Sequence, residues 1–493
     1  MALVAGIKHL RDGIEPQAVL GADMSTIGII GTALFADSTI FPLNTAVFLE
    51  TSDAIKRAAL GSAGTLVDAL AGISAQLANT GAARVVVVRV EHDADAATVI
   101  SNIVGSEANR TGMWALLDAP EDLGYTPRLL IAPGYTSQTV QGLGDVTITA
   151  AGSDGTDGTF PLAFTSGTGS GAAGTFTVTG GAVTSVNLTA RGEYSVAPTL
   201  DFSASANLTG ENISVALDQV ANAVCANMPT ICERLNAMFL PEGPTNDRAT
   251  AVKWLETLPR SGRILHPLRQ DAKVDVDGST VTKPLSPYVI AVYVSRDAGT
   301  DGVPTRSAAN ESLYGLVGVT PKIPFSFTDE STEGQSDIGI SFGIVAKGEV
   351  GVNGAIADGG FVFWGTDTLS PASEWLFANV NRMRDYMEIM QVRALRYYLG
   401  RFNLTSQTVQ AVLNTLQTDL IRLRADEYIL DFRLGFEPDA NTPDNLRLGF
   451  IDLQFKAEEP PVLRKITLRS RRHREALTTL ANNIAIQVST DIV

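Results

Sequence analysis

The feature that most constrains the fold is a run of β-branched residues at positions 84–90, RVVVVRV, which comes directly after a helical stretch. A continuous run of this kind is typical of a strand that is covered on both faces, as in a parallel sheet. The stretch before it, residues 65–78, repeats apolar side chains at helical spacing: Leu66, Ala69, Leu70, Ile73 and Leu77. A helix followed by a fully buried strand predicts a layered α/β domain.

The alternation of strand and helix patterns continues along the chain. Short apolar runs predict strands at 26–33, 128–134, 236–240, 262–266 and 288–294, and helical spacing predicts helices at 214–228 and 250–258. We therefore predict the α/β class, mixed with α+β features, with one layered domain built from residues 23–140 and 213–360. The length of 493 residues leaves room for further domains.

Residues 141–212 interrupt this domain with a different composition. They are rich in Gly, Thr, Ser and Ala, carry little charge and contain no lysine. Apolar residues alternate at 175–179 and 183–189, and Gly180 and Gly181 between them mark a hairpin turn. We predict an inserted, outward-facing all-β domain. Its GSGAAG sequence at 169–174 matches a dinucleotide-binding fingerprint, but a strand pattern and not a helix follows, so we interpret these glycines as turns.

The two ends of the chain predict extended arms around a third domain. Residues 1–22 are interrupted by Gly13, Pro16 and Gly21, which predicts an extended amino-terminal arm. In residues 361–482 the spacing predicts helices at 373–395 and 406–423, followed by strands at 446–455 and 462–468 that pair as a hairpin. Residues 483–493 contain IAIQVS at 484–489, which alternates cleanly and predicts a carboxy-terminal arm strand.

Several stretches resemble the contractile tail sheath family of phages and related injection systems. They are STIGIIGTA at 25–33, FPLN at 41–44, GVNG at 351–354, GFVFWGTDTL at 360–369 and NVNRMRDYM at 379–387. The resemblance covers nearly everything except the β insertion. The chain departs from the family pattern at Asp367, where the family has arginine, and in residues 295–299 and 307–310, which lack an expected tryptophan and proline.

The resemblance implies a structural subunit, not an enzyme. Such a subunit polymerises helically around an inner tail tube and contracts to drive the tube through the host envelope. The implied location is the tail of a virion that is assembled in the host cytoplasm. The implied partners are further copies of the chain, the inner tube protein, and the baseplate and tail terminator at the two ends. Whether the particle is a phage or resembles a bacteriocin stays open.

A basic cluster near the carboxy terminus is the first candidate site. It consists of Arg464, Lys465, Arg469, Arg471, Arg472 and Arg474, with no acidic residue among them. Sheath proteins that this chain resembles face the inner tube with their carboxy-terminal region, which implies that the cluster docks on an acidic tube surface. A solvated basic face is the alternative.

The predicted orphan strands form the second candidate site. A lone two-stranded hairpin is marginal in water, and an exposed strand edge is completed by a strand from another chain. In the resembled family, terminal arms are exchanged between neighbours. The residues predicted to take part are Ile484, Ile486 and Val488 of the arm, and Phe450, Leu453 and Phe455 of the hairpin.

Composition and motifs argue against several other functions. A formal net charge of −16 argues against nucleic-acid binding. The start of the chain does not fit a signal peptide, and no stretch has the roughly 18 consecutive apolar residues of a membrane helix, so we expect no membrane insertion. Zinc-protease and Walker A sequences are absent, and we expect no metal and no cofactor.

Three alternatives remain at this point. Cys225 and Cys232 are either two ordinary thiols or a disulfide formed outside the cell. A surface adhesin or glycan-binding protein that uses the β insertion is the alternative to a sheath subunit. An α/β hydrolase would need a histidine beside a serine on a sharp exposed turn, and the four histidines show no such arrangement in sequence.

Overall fold

A computed structural model describes residues 22–78, 81–348 and 360–490. The predicted arm at 1–22 and the GVNG stretch at 351–354 therefore lie outside the described residues, apart from Ala22. By their contacts the residues divide into two units, Met1–Pro460 and Pro461–Val493, which we describe separately. Among the described residues, no helix is long and apolar enough to span a bilayer.

The first part of the larger unit alternates strands and helices as predicted. Its elements are β1 (Ile27–Thr32), β2 (Ala46–Glu50), α1 (Ala54–Ala59), α2 (Thr65–Leu77), β3 (Arg84–Val90), α3 (Ala96–Val104), α4 (Ala119–Asp122) and β4 (Leu129–Ile131). A 3-10 turn at Gly112–Asp118 precedes α4.

The segment that follows β4 consists of strands. They are β5 (Thr139–Ser153), β6 (Gly158–Pro161), β7 (Ala163–Thr165), β8 (Thr168–Thr179), β9 (Ala182–Val196), β10 (Thr199–Asp201) and β11 (Thr209–Ala221). The first and last strands pair antiparallel from Thr139 opposite Ala221 outward, so the chain enters and leaves through one two-stranded ribbon. The ribbon begins two residues before the predicted boundary and ends nine after it, and the GSGAAG sequence lies in β8.

The remaining elements of the layered part return to a mixed pattern. They are α5 (Ala223–Leu235), β12 (Met238–Phe239), α6 (Arg248–Thr257), β13 (Asp271–Val276), β14 (Ser279–Lys283), α7 (Ser286–Ala298), β15 (Glu311–Leu313), β16 (Gly318–Thr320), α8 (Glu333–Gly339), β17 (Ile344–Lys347) and β18 (Phe361–Trp364).

Five strands form the central sheet in the order β12-β4-β1-β3-β2, with all pairs parallel except β2 with β3. Alternate residues of β3 enter two different cores. Val85 and Val87 pack with α2 and α7, whereas Val86 and Val88 pack with α3 and α5. The run of valines is therefore a strand covered on both faces, as its composition predicts. Close packing also needs Gly31 of β1, where a Cβ atom would lie 2.4 Å from Thr65 Oγ1 of α2.

Three predictions for this part were wrong. Residues 288–294 form a helix and not a strand, because α7 is buried on all sides, and an apolar run of that kind has no period that separates helix from strand. The helix predicted at 214–228 is strand β11 up to Ala221 and helix α5 from Ala223. Residues 262–266 form only isolated bridges, such as Ile264 with Phe239.

The larger unit ends with two long helices and a hairpin. After a 3-10 turn at Ser373–Trp375 come α9 (Ala378–Leu395), α10 (Ser406–Ala425), β19 (Asp431–Phe436), α11 (Pro443–Arg447) and β20 (Leu453–Glu458). The hairpin pairs β19 with β20. The predicted pairing of 446–455 with 462–468 was wrong, because β19 is the partner and residues 461–470 form no regular structure.

The smaller unit contains one regular element among its described residues, the helix α12 (Glu475–Thr490). It includes residues 484–489, so the predicted arm strand was wrong for this structure. Leu477 and Leu480 precede this segment in the same helix, and together with Ile484 and Val488 they follow helical spacing. The spacing of the apolar residues over the whole helix thus agrees with a helix, although residues 484–489 taken alone alternate.

Candidate assembly site

The hairpin is the candidate site, because it is a two-stranded sheet in the part of the chain that the structure describes. Its register places Phe432 opposite Ala457 and Leu434 opposite Phe455. Side chains along both strands alternate between half-buried and exposed, so one face packs on the protein and the other faces solvent. A sheet of two strands has two outer edges whose backbone groups can pair with another strand.

The inner face of the hairpin packs on α9 and α10. Phe432, Leu434, Phe455 and Ala457 contact a buried cluster from the two helices. The helical members of that cluster are Met383, Tyr386, Met387, Ile389, Met390, Leu420 and Leu423. The methionines of α9 are unbranched and adapt to the irregular space under a small sheet. The hairpin therefore depends on the two helices for its position.

Arg384 of α9 clamps the end of the hairpin. Its guanidinium donates to Glu459 through two bonds, Nε to Oε1 at 2.7 Å and Nη2 to Oε2 at 2.9 Å. The Nη2 group also donates to the carbonyl oxygen of Ala457 at 2.7 Å. Its charge lies 5.2 Å from the ring centres of both Trp375 and Phe455. A bidentate, largely buried ion pair of this kind fixes both the orientation and the position of the strand end that carries Glu459.

Arg382 lies two residues earlier on the same helix, about 200° away around the axis. It is fully buried and donates to Asp297 of α7, Nη1 to Oδ1 at 3.1 Å and Nη2 to Oδ2 at 2.6 Å. Its Nη2 group also donates to the carbonyl oxygen of Met24 at 3.0 Å. Two arginines of α9 thus hold the hairpin and the first described segment of the chain.

The segment at residues 22–26 has further anchors. Ser25 Oγ donates to Asp297 Oδ2 at 2.9 Å. Asp23 accepts from Arg84 Nη1 and from Thr26 Oγ1, each at 2.9 Å. The side chains of Ala22 and Met24 are buried in the cluster under the hairpin. The described chain therefore begins, at Ala22, beside the elements that carry the hairpin.

Burial sets the electrostatics of this site. It raises the pKa of the Asp297 carboxyl above its ordinary value, and the charge of Arg382 acts in the opposite direction. Burial likewise raises the pKa of Asp385, which is opposed by its ion pair with Arg263. Each buried carboxylate of α7 or α9 has an arginine against it, and removal of the arginine would leave a buried charge unpaired.

The structure brings together only some of the residues predicted from the sequence. Leu453 and Phe455 lie on β20, with Phe455 on the packed face. Phe450 is not on a strand and is 63% exposed in the turn after α11. Ile484, Ile486 and Val488 lie on α12 and are exposed.

The basic cluster precedes α12 in the sequence of the smaller unit, in residues 464–474, and has no regular secondary structure. Arg464 is half-buried, and the other members are exposed: Lys465, Arg469, Arg471, Arg472 and Arg474. Exposed cations in an irregular segment can adapt to the surface of a partner.

The cysteines are free in the structure and do not form a disulfide. Cys225 and Cys232 both lie buried on α5. Seven residues of helix separate their Cα atoms by about 10 Å along the axis, which is longer than a disulfide spans. Burial raises the pKa of both thiols, which makes them unreactive.

The buried histidine has a structural environment. The ring of His266 stacks on Tyr293 and contacts Phe363. Burial lowers the pKa of His266 to about 3, so the ring is neutral at ordinary pH. Its contacts are aromatic, whereas a hydrolase would place a serine hydroxyl against this ring.

Two proteins with similar sequences are both tail sheath proteins of phages. The chain is 38% identical over 129 residues to the major tail sheath protein of Serratia phage KSP20, which covers 25% of this chain and 32% of the relative. It is 22% identical over 179 residues to the tail sheath protein of Escherichia phage P2, covering 36% of this chain and 42% of the relative. No protein-family model matches. The chain is a relative of phage tail sheath proteins.

Solved structures extend this resemblance to the fold of almost the whole chain. The contracted helical sheath of the anti-feeding prophage superposes with a TM-score of 0.56 at 14% identity, covering 96% of this chain and 100% of the other. The contracted sheath complex of the extracellular injection system PVC gives 0.55 at 12% identity, covering 97% and 100%. The sheath resemblance read from the sequence is confirmed, and its relatives are structural proteins, not enzymes. The matched stretches span only a third to two fifths of the phage relatives.

Proposed function

We propose that the protein is the sheath subunit of a contractile tail, which polymerises helically around an inner tube and contracts to drive that tube through a host envelope. Its partners would be further copies of itself, the inner tube protein, and the baseplate and terminator at the ends of the tail. The subunit would be assembled in the host cytoplasm and would act in the virion. The supporting resemblance includes a baseplate assembly among the structural neighbours.

The observation that carries the proposal is the two-stranded hairpin that α9 holds beside the start of the folded body. The hairpin has two outer edges in the described structure, and a sheet of two strands is marginal alone. Met24, close to the first described residue, contacts the same helix through its carbonyl oxygen. Each subunit can therefore offer an arm and accept one at neighbouring points. Exchange of arms would tether subunits while their packing changes between two lattice states.

Electron microscopy of the concentrated purified protein tests this function. We expect striated hollow tubes, because strand exchange between identical subunits is a head-to-tail contact that propagates. A double variant, Arg433→Pro with Lys456→Pro, changes two exposed positions of the hairpin. It should form no tubes, since proline removes backbone donors from the strands. Protein that stays monomeric at every concentration and salt condition would contradict the proposal.

The basic cluster is proposed to dock on an acidic surface of the inner tube. Changing Arg471, Arg472 and Arg474 together to Glu should weaken co-sedimentation with the tube and leave sheath-to-sheath contacts intact. Attachment of the wild-type protein should weaken as salt rises, because screening shortens electrostatic reach to about 10 Å at 0.1 M. The matched control changes the same residues to Lys, which keeps the charge. Normal co-sedimentation of the Glu variant would refute the assignment.

A further inference from the structure

Two adjoining grooves lie where the strands from β5 to β11 meet helices α5 and α6. The larger groove has a volume of about 330 Å³ and is lined by β5, β9 and residues 256–260 at the end of α6. The second has a volume of about 220 Å³ and is lined chiefly by β8, β9 and the start of α5. Four residues line both grooves: Thr189, Arg191, Thr257 and Pro259. The two grooves, which we call the cleft, together reach the roughly 300–1,000 Å³ of small-molecule sites.

The walls of the cleft are fixed to each other by contacts of β11 with α6. Lys253 Nζ donates to Asp218 Oδ1 at 2.6 Å. The backbone N–H of Ala221 donates to Thr257 Oγ1 at 2.9 Å, and this hydroxyl donates to the carbonyl oxygen of Trp254 at 2.7 Å. The cleft is therefore preformed, and a ligand that enters it would lose little free energy to ordering of the protein.

Arg191 of β9 is the central polar group, because it lines both grooves. Its side chain is 19% exposed, and its guanidinium donates from Nη1 to the carbonyl oxygen of Leu143 at 2.9 Å. Nη2 donates to Asp145 Oδ1 at 3.2 Å. A guanidinium carries further N–H donors besides these two. The two bonds thus hold the planar group in place and leave donors for a ligand in the cleft.

Polar side chains from both walls complete the lining. Asn187 and Thr189 come from β9, and Glu256 and Arg260 come from the end of α6. Within the described residues, none of these four side chains forms a hydrogen bond or an ion pair. Between these polar groups the lining is small or apolar, with Gly144, Val146, Leu188, Leu258, Ala190 and Ala226. The cleft therefore offers both donors and acceptors around apolar surface.

This lining favours a sugar over an anionic polymer or a peptide. Its charges are mixed, with Asp145, Glu193 and Glu256 against Arg191 and Arg260, whereas a site for a polyanion needs a basic excess. A peptide is recognised along a strand edge through backbone groups at regular spacing. Sugar hydroxyls both donate and accept, which matches carboxylate, amide, hydroxyl and guanidinium groups from two walls. The C–H groups of a sugar ring would rest on the small apolar residues.

We propose that the cleft binds a neutral oligosaccharide, with Arg191 at its centre and with Asn187, Glu256 and Arg260 as further hydrogen-bonding groups. The inference goes beyond the proposed function, because the whole cleft belongs to one subunit and needs no polymer. A subunit with this site would attach to a sugar-coated surface whether or not it assembles.

Binding of the full-length protein to an array of immobilised compounds tests the ligand class. The array carries neutral oligosaccharides, acidic oligosaccharides and short peptides. We expect retention on neutral oligosaccharides above that on the other two classes. Absence of binding to every neutral oligosaccharide would overturn the proposal, and so would equal or stronger binding to the acidic oligosaccharides or to the peptides.

Two variants then test the place of binding, by titration calorimetry with the oligosaccharide that the array retains best. Ala226→Trp puts a large ring into the second groove and should abolish binding, whereas the matched control Ala226→Ser leaves the space open. Glu256→Ala with Arg260→Ala should raise the Kd about tenfold, since hydrogen bonds to charged groups are lost. The double variant changes exposed side chains only, so its fold should be unaffected by circular dichroism.

Wild-type affinity in the double variant, or in a folded Ala226→Trp variant, would place any sugar elsewhere and refute the cleft as its site. Electron microscopy of the same variants keeps this result separate from the proposed function. Tubes that form normally while sugar binding is lost support both proposals. Tubes without any sugar binding by the wild-type protein would refute only the cleft, and sugar binding by a protein that never assembles would refute only the sheath function.

Discussion

Removal of residues 483–493 is expected to leave a folded protein that stays monomeric. The central sheet and the cores on its two faces draw on buried residues between Ile27 and Ala378 and use none of the deleted ones. The deletion therefore removes the carboxy-terminal residues proposed to take part in arm exchange and leaves both of these cores intact. Circular dichroism should show loss of little more than part of one helix, and light scattering should show no polymers at concentrations where the full chain assembles.

Removal of residues 1–20 should have the same effect on assembly. This truncation keeps Met24 and Ser25, whose contacts with Arg382 and Asp297 hold the start of the body. A Gly-Ser segment of equal length in place of either arm is the matched control, because it restores length but not the strand pattern. Normal polymers from either truncated protein would refute arm exchange. Loss of the folded signal would mean that the arm is part of its own subunit's fold.

Arg382→Met is expected to lower the free energy of unfolding by about 3–5 kcal/mol, the usual result of breaking a buried ion pair at one partner. The substitution keeps the apolar stem but leaves Asp297 buried without its cation. It also removes the donor to the Met24 carbonyl. Denaturant unfolding measures the loss. Arg384→Met, at a pair whose arginine is 20% exposed, is the matched control and should cost less.

The loss in Arg382→Met should depend on pH with a defined sign. The pKa of Asp297 is already raised in the folded protein, and removal of the positive charge raises it further. A carboxyl with a raised pKa binds its proton more tightly when folded, so lowering the pH from 7 towards the raised value stabilises the variant. The variant should therefore recover part of its stability at pH 5 relative to wild type. Adding Asp297→Asn should remove this recovery, and its persistence would mean that another group titrates.

The sequence predicts those elements whose side chains divide between two environments. The run at 84–90 is correctly predicted as a buried strand, and α2 is correct to one residue because its apolar stripe faces a single core. Helix α7 fails for the opposite reason, since its residues from Ser286 to Val294 are all buried and show no period. Tertiary surroundings, and not local preference, decide such a segment.

The candidate site is less predictable than the fold. Leu453 and Phe455 alternate along β20 as expected. The partner strand is β19, which comes earlier in the chain, and the short helix α11 lies between the two strands. The sequence pattern did not distinguish α11 from the strand that follows it. The ion pair of Asp297 with Arg382 joins residues 85 apart in sequence. The sequence signal for such an ion pair is the presence of charged residues among the apolar positions of α9, because a charge on a buried face needs a partner. The sequence does not say which residue that partner is.

The way the strands from β5 to β11 join the rest of the larger unit has a consequence for engineering. The chain enters at Thr139 and leaves at Ala221, and these residues are paired neighbours across one ribbon. Neighbouring strands lie about 5 Å apart, so a foreign domain needs only two close termini to take the place of the insertion. Because the substituted domain would recur once per subunit, the polymer that we propose would be a regular scaffold for displaying enzymes or antigens at fixed spacing.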